Sequence, residues 1–221
     1  MDHNGEIAAA ANSVLVPLGC RRKGRSRTWL DDNGWWVGVI EFQPSGWSKG
    51  SYLNVGASYM WQPAFAESAW SFDTGLGPRP WRDVIEGESF AAKATELALI
   101  ARETLVRLRD NHRTIASAAD WLQREGIEGT LWREYHLGMA FGLSGRIEAA
   151  RDYFRLAIAP SPQHEWVKAL AAESAAFVAL LKDRAAFRSA VLRRIQGTRA
   201  TRKLPPVDPQ VVVAAAAAAG S

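Results

Sequence analysis

A single cysteine, Cys20, is all that this 221-residue chain has for disulfide chemistry. It cannot close an internal bridge, so the expected setting is a reducing one, the cytoplasm. Long apolar runs are missing too. No segment reaches the ~18 uninterrupted apolar residues of a membrane helix, and Asp2 and Glu6 stand where a signal peptide carries positive charge, so no membrane partner is expected. The folded body also lacks an excess of charge of one sign. The net +4 and pI near 9.5 come from +1 over Met1 to Met60, −1 over Trp61 to Leu192, and +4 over Arg193 to Ser221. The basic balance therefore belongs to the tail, which can touch nucleic acid or simply stay solvated.

The chemistry-bearing patterns are thin. His3, His112, His136 and His164 have no metal-ligand spacing to one another or to Cys20, so no metal is expected. No Cys/His pairing or plausible base is visible, and nucleophilic catalysis has no nominee. Gly19-x-x-x-x-Gly24-Arg25-Ser26 approaches a phosphate loop with arginine for lysine, but its context runs from helix to strand rather than from strand to helix. No cofactor is implied. Glu41, Asp73, Glu86 and Glu88 lack the spacing that sets two carboxylates across a bond, and each reads as a surface charge.

What is present is a globular composition, 48% hydrophobic and 23% charged, in a chain long enough to bury roughly 70% of its unfolded surface. Ile7, Ala10, Ala11, Val14 and Leu18 predict a helix over 6–18, ended by Gly19. Arg21 to Leu30 and Trp35 to Gln43, around Asp31-Asp32-Asn33-Gly34, predict a β-hairpin. Ser51 to Met60 predicts a third strand. It points Leu53, Val55, Ala57 and Tyr59 toward a core, and Tyr52, Asn54, Gly56 and Ser58 toward a face that is solvated or holds something. Ser68 to Asp73 is a candidate fourth strand. Phe90, Ala94, Leu97, Ala101, Leu105 and Leu108 form one stripe of a helix over 88–110. Further helices are expected over 114–124, 131–143, 147–158, 163–181 and 184–195, joined by short gaps as antiparallel neighbours. Residues 197–221, with Pro205-Pro206, Pro209 and a Val/Ala run, read as a disordered tail. The expected fold class is α+β: residues 1–87 a helix with a three- or four-stranded antiparallel sheet, 88–196 a helical region.

Two resemblances follow. Leu15-Val16-Pro17-Leu18-Gly19, Arg22-Lys23-Gly24, Thr28-Trp29, Phe42-Gln43, Ser45, Trp47, Tyr52, Asn54 and Gly56 resemble the bacterial domain-of-unknown-function family 4304 over residues 7–60, and more weakly to about 110. Cys20 and the stretch from Gln62 to Trp81 depart from the pattern. The resemblance implies an α+β fold and no mechanism. Leu137-Gly138, Phe141, Gly145, Ala150, Phe154, Ala157 and Pro162 are similar to one tetratricopeptide repeat, with Glu134 where that repeat has tryptophan. No second copy lies 34 residues away, so one helical hairpin within a bundle is implied.

Two surfaces are candidates for binding. Gln43, Ser45, Trp47, Tyr52 and Asn54 can line a small polar pocket beside the second turn, or can serve that turn and the sheet edge. Arg21, Lys23, Arg25 and Arg27, on one strand, would share a basic face able to meet nucleic acid, or would guard an edge strand against aggregation. Ten tryptophans, seven of them before the long helix, read as core between sheet and helix, with a sugar platform as the alternative. The expectation that follows is a non-catalytic protein-binding module, with immunity or regulatory roles as examples. Nucleic-acid binding and a small-ligand sensor or enzyme are the alternatives.

Overall fold

The computed structural model describes residues 3–45, 49–66, 70–73, 79–85, 89–125, 130–158 and 164–217. The fold is α+β, with an N-terminal helix, a five-stranded sheet and then a series of helices. It divides into two compact units interleaved along the chain. The first takes Met1–Asn33, Val37–Ser58 and Leu76–Asp110; the second takes Gly34–Trp36, Tyr59–Gly75 and Asn111–Ser221.

In the first unit, α1 (His3–Leu15) continues as a 3-10 turn, Val16–Leu18, and stops at Gly19, whose φ of 90° is the left-handed conformation expected there. The sheet follows in sequence order: β1 (Arg21–Arg22), β2 (Thr28–Asp32), β3 (Trp36–Pro44), β4 (Gly50–Tyr59) and β5 (Trp81–Asp83). β2 and β3 pair as Trp29 with Ile40 and Asp31 with Gly38, which places these four on one face. That face meets the helices. Trp29 Nε1 donates to Asn12 of α1 at 3.0 Å, and a Cβ at Gly38 would stand 2.9 Å from Leu105 of α2 (Ala91–Asn111). The stripe from Phe90 to Leu108 is buried throughout. Glu6 ties the ends together, accepting from Ser89 Oγ at 2.7 Å and from the Phe90 N–H at 2.9 Å at the start of α2.

The second unit holds α3 (Ile115–Glu125), α4 (Leu131–Leu143), α5 (Ile147–Ile158), α6 (Glu165–Leu180), α7 (Arg184–Thr201) and α8 (Pro209–Ala217). α4 is its axis: every residue from Arg133 to Leu143 is buried, with α3, α5, α6 and α7 packed around it. Small residues make this possible. A Cβ at Gly138 would lie 2.7 Å from the Phe154 ring of α5, and one at Gly142 would lie 2.4 Å from the Phe187 ring of α7. The inner face of the α4–α5 hairpin is therefore packed against this unit's own helices.

Three expectations are corrected here. Residues 70–73 are not a strand, and residues 68 and 69 lie outside the described residues; the additional strand is β5. Residues 197–217 are not a disordered tail, because α7 runs to Thr201 and α8 packs Val212 and Ala216 into the unit; residues 218–221 lie outside the described residues. Three cations of residues 193–221 are engaged with the fold. Arg199 is buried and donates to the Pro205 carbonyl at 2.7 Å and the Gly34 carbonyl at 2.8 Å, Arg194 meets Glu173 at 3.0 Å, and Arg202 lies over Trp70. Finally, Arg21 to Arg27 do not form one strand. β1 has two residues, and Lys23 to Arg27 form the turn that follows.

Candidate functional site

The sheet face opposite α1 and α2 carries Glu41, Gln43, Tyr52 and Asn54, as strand alternation requires. On this face Asn54 and Ser58 are buried, while Tyr52, Gln43 and Glu41 are half-buried. Asn54 is the hub. Its Nδ2 donates to Gln43 Oε1 at 2.8 Å and to Glu41 Oε2 at 3.0 Å, and its Oδ1 accepts from Arg79 Nε at 2.8 Å. Arg79 also donates through NH2 to Gln43 Oε1 at 2.7 Å, and its guanidinium lies 5.0 Å from the Tyr52 ring centroid. Trp81 closes the row, its ring 4.5 Å from that of Tyr52.

Local sequence explains the placement. The proline after Arg79 disfavours helical backbone there, and the Pro80 carbonyl, just before β5, accepts from the Leu53 N–H at 2.9 Å. The outer edge of β5 is blunted: the Trp81 carbonyl accepts from Arg82 NH1 at 2.7 Å, and the Asp83 carbonyl from Lys93 Nζ at 3.0 Å. Arg82 and Lys93 further form ion pairs with Glu96 and Asp83, which hold both carboxyls below their ordinary values, chiefly through the hydrogen bonds from those cations.

Of the five residues expected to line a pocket, Gln43, Tyr52 and Asn54 are brought together. Ser45 instead takes part in the β3–β4 connection, its N–H on the Gly50 carbonyl at 3.4 Å, and Trp47 lies outside the described residues. Arg79 and Trp81 were missed. The available signal was the Arg-Pro-Trp run, which read as a break in regular structure rather than as a strand end.

The basic run is spent in part on its own fold. Arg22 donates to the carbonyls of Ser26 (2.8 Å) and Arg25 (3.2 Å) and stacks on Trp29, and Arg27 reaches Asn4 on α1. Arg21, Lys23 and Arg25 are exposed, but no common strand face gathers the four. Gly24 sits at φ 56° in a turn that leads to β2, so no helix follows the phosphate-loop-like residues. Gly46-Trp47-Ser48-Lys49-Gly50 does have the Gly-x-Ser-x-Gly spacing of a nucleophile elbow, contrary to the reading that no nucleophile is nominated. Its setting is the link between strands β3 and β4, where the elbow requires a strand followed by a helix, and residues 46–48 lie outside the described residues.

A second polar cluster is enclosed in the other unit. Asp73, expected at the surface, has a side chain only 4% exposed. Its Oδ2 accepts from the Tyr59 N–H at 2.7 Å and from Gln62 Nε2 at 2.7 Å, and its Oδ1 faces His136 Nε2 at 3.4 Å. Burial pushes the Asp73 carboxyl up. The attraction of His136 and the hydrogen bonds it receives outweigh that and hold it below the ordinary carboxylate value. Trp61 Nε1 donates to His136 Nδ1 at 3.1 Å. Trp35, Trp61 and His112 stack on Tyr59 or beside it, and Tyr59 Oη lies 3.2 Å from His112 Nε2. This cluster is sealed by aromatic rings and fastens residues 59–62 and 70–73 to α4. Among the described residues no group of three or more His, Cys, Asp or Glu side chains is placed to hold a metal, and no helix is long and apolar enough to cross a membrane.

The fold is α+β, and its sheet carries a part-exposed polar network around Asn54 and Arg79. Comparison with family models, with curated proteins and with solved structures finds no match.

Proposed function

We propose that this chain is a non-catalytic protein-binding module, working in the cytoplasm, that engages its partner through the sheet face built by Gln43, Tyr52, Asn54, Arg79 and Trp81. The observation that carries the reading is Arg79. It is exposed, yet two amide oxygens and an aromatic ring hold it in one place, so little side-chain freedom remains to be lost when a partner docks. Arginine and large aromatic residues are the side chains that most often dominate protein interfaces.

The test is differential capture. Wild-type protein, Arg79→Ala and Tyr52→Ala are used as baits in lysate of the source cell, with Arg25→Ala as a surface control. A protein retained by wild type and by the control but lost from both sheet-face variants supports the reading. Capture that ignores Arg79 and Tyr52 overturns it.

A further inference from the structure

Resting on that reading, we infer that Arg79 is the receptor for a carboxylate, and that the partner presents an Asp or Glu side chain to it. Arg79 has spent its Nε hydrogen on Asn54 and one NH2 hydrogen on Gln43. Both NH1 hydrogens and the second NH2 hydrogen remain, forming the planar fork that matches the two oxygens of a carboxylate. The fork cannot swing, because Gln43 Oε1 is itself held by Asn54 and the guanidinium rests on Tyr52.

Two other kinds of occupant fit less well. Strand addition at β5 meets an edge whose outer carbonyls are already taken by Arg82 and Lys93. A nucleic-acid backbone needs a row of cations, whereas here one guanidinium is joined through Asn54 to the carboxylate of Glu41. One fixed fork matches the two oxygens of a single acidic side chain rather than a row of phosphates.

The probe is a capped tetraglutamate peptide, with its glutamine counterpart and a dT oligonucleotide as comparison arms. The readouts are the Nε–H signal of Arg79 in ¹⁵N-labelled protein and intrinsic fluorescence. Saturable binding of the glutamate peptide is expected, at least tenfold weaker for the glutamine peptide and at least tenfold weaker in Arg79→Lys, which keeps the charge and loses the fork. The melting temperature of the lysine variant is measured alongside, and the binding comparison is made at a temperature where both proteins are fully folded. Equal binding by Arg79→Lys, no binding of the glutamate peptide, or tighter Arg79-dependent binding of the oligonucleotide would each overturn the inference. If the peptide fails while capture from lysate still depends on Arg79, the carboxylate assignment falls and the binding face stands. If capture ignores both Arg79 and Tyr52, the face itself falls.

Discussion

Arg109 on α2 closes on Asp31 of β2 with two hydrogen bonds, Nε to Oδ2 at 2.9 Å and NH2 to Oδ1 at 2.6 Å, and the same NH2 donates to the Leu18 carbonyl at 2.8 Å. One guanidinium thereby pins α2 to the sheet and to the end of the 3-10 turn after α1. Arg109→Ala would leave a carboxylate that is 6% exposed without its partner. Breaking a buried pair in this way costs about 3 kcal/mol; with Arg109 one-third exposed, a loss nearer 2 kcal/mol is predicted, read by urea denaturation.

Cys20 is buried beside this pair. Burial first, and the Asp31 charge second, push its thiol up to about 11, while Arg109 pulls the other way. The native thiol should therefore resist a disulfide exchange reagent at pH 8 and react fully once the protein is unfolded. A stoichiometric fast reaction in native buffer would contradict the burial of this residue.

The depressed Asp73 carboxyl gives a signed pH dependence. A group whose folded value lies below its unfolded one adds stability above the unfolded value, about 4 for aspartate, and loses it as pH falls through the folded one. Wild-type stability should drop as pH falls below about 4, with a shallower acid slope in Asp73→Asn. At pH 7 that variant should be less stable by about 2 kcal/mol, because a buried polar network is left incompletely paired. Denaturation midpoints across pH for both proteins check the sign.

Close approach at α4 makes glycine necessary there. Gly142→Ala would drive a methyl group into the Phe187 ring and Gly138→Ala into the Phe154 ring. Overpacking of this kind costs about 2 kcal/mol, against roughly 1 kcal/mol gained from alanine's helix propensity. A net loss of about 1 kcal/mol is predicted for each, larger at Gly142, measurable by thermal melts.

Removal of residues 205–221 should destabilise the second unit rather than trim a loose end. Val207 and Val212 leave the core, and Gly34 loses the Val207 methyl that a Cβ there would meet at 2.9 Å. Each fully buried valine contributes about 1.5 kcal/mol, so a loss of about 3 kcal/mol is expected from these two side chains alone. Chemical denaturation of the shortened chain reads it.

The sequence displayed the helices well because their apolar stripes repeat over three or more turns, as from Phe90 to Leu108. β5 was illegible because three residues supply no alternation and the preceding Pro80 reads as a breaker. α8 was hidden by composition, since a run of valine and alanine has no polar face to mark its period. Its start was nonetheless written: Asp208 accepts from the Gln210 N–H at 2.8 Å, and Pro209 occupies the first helical position, a signature visible before any fold. Gln43, Tyr52 and Asn54 were legible as a set through strand alternation. Arg79 was not, because a contact 25 residues away in sequence depends on β5 pairing with β4. Asp73 was misread as a surface charge for the same reason: its partners Tyr59, Gln62 and His136 are assembled only by packing.

The most direct measurement of the central claim is site-specific photocrosslinking in the source cell, with a photoreactive phenylalanine analogue at position 52, where the ring is kept, and at exposed Glu103 on α2 as control. A discrete protein adduct from position 52, lost when Arg79→Ala is added and missing from position 103, is the predicted result. Equal adducts from both positions, or none from position 52, would contradict the assignment of this sheet face as a protein-binding surface.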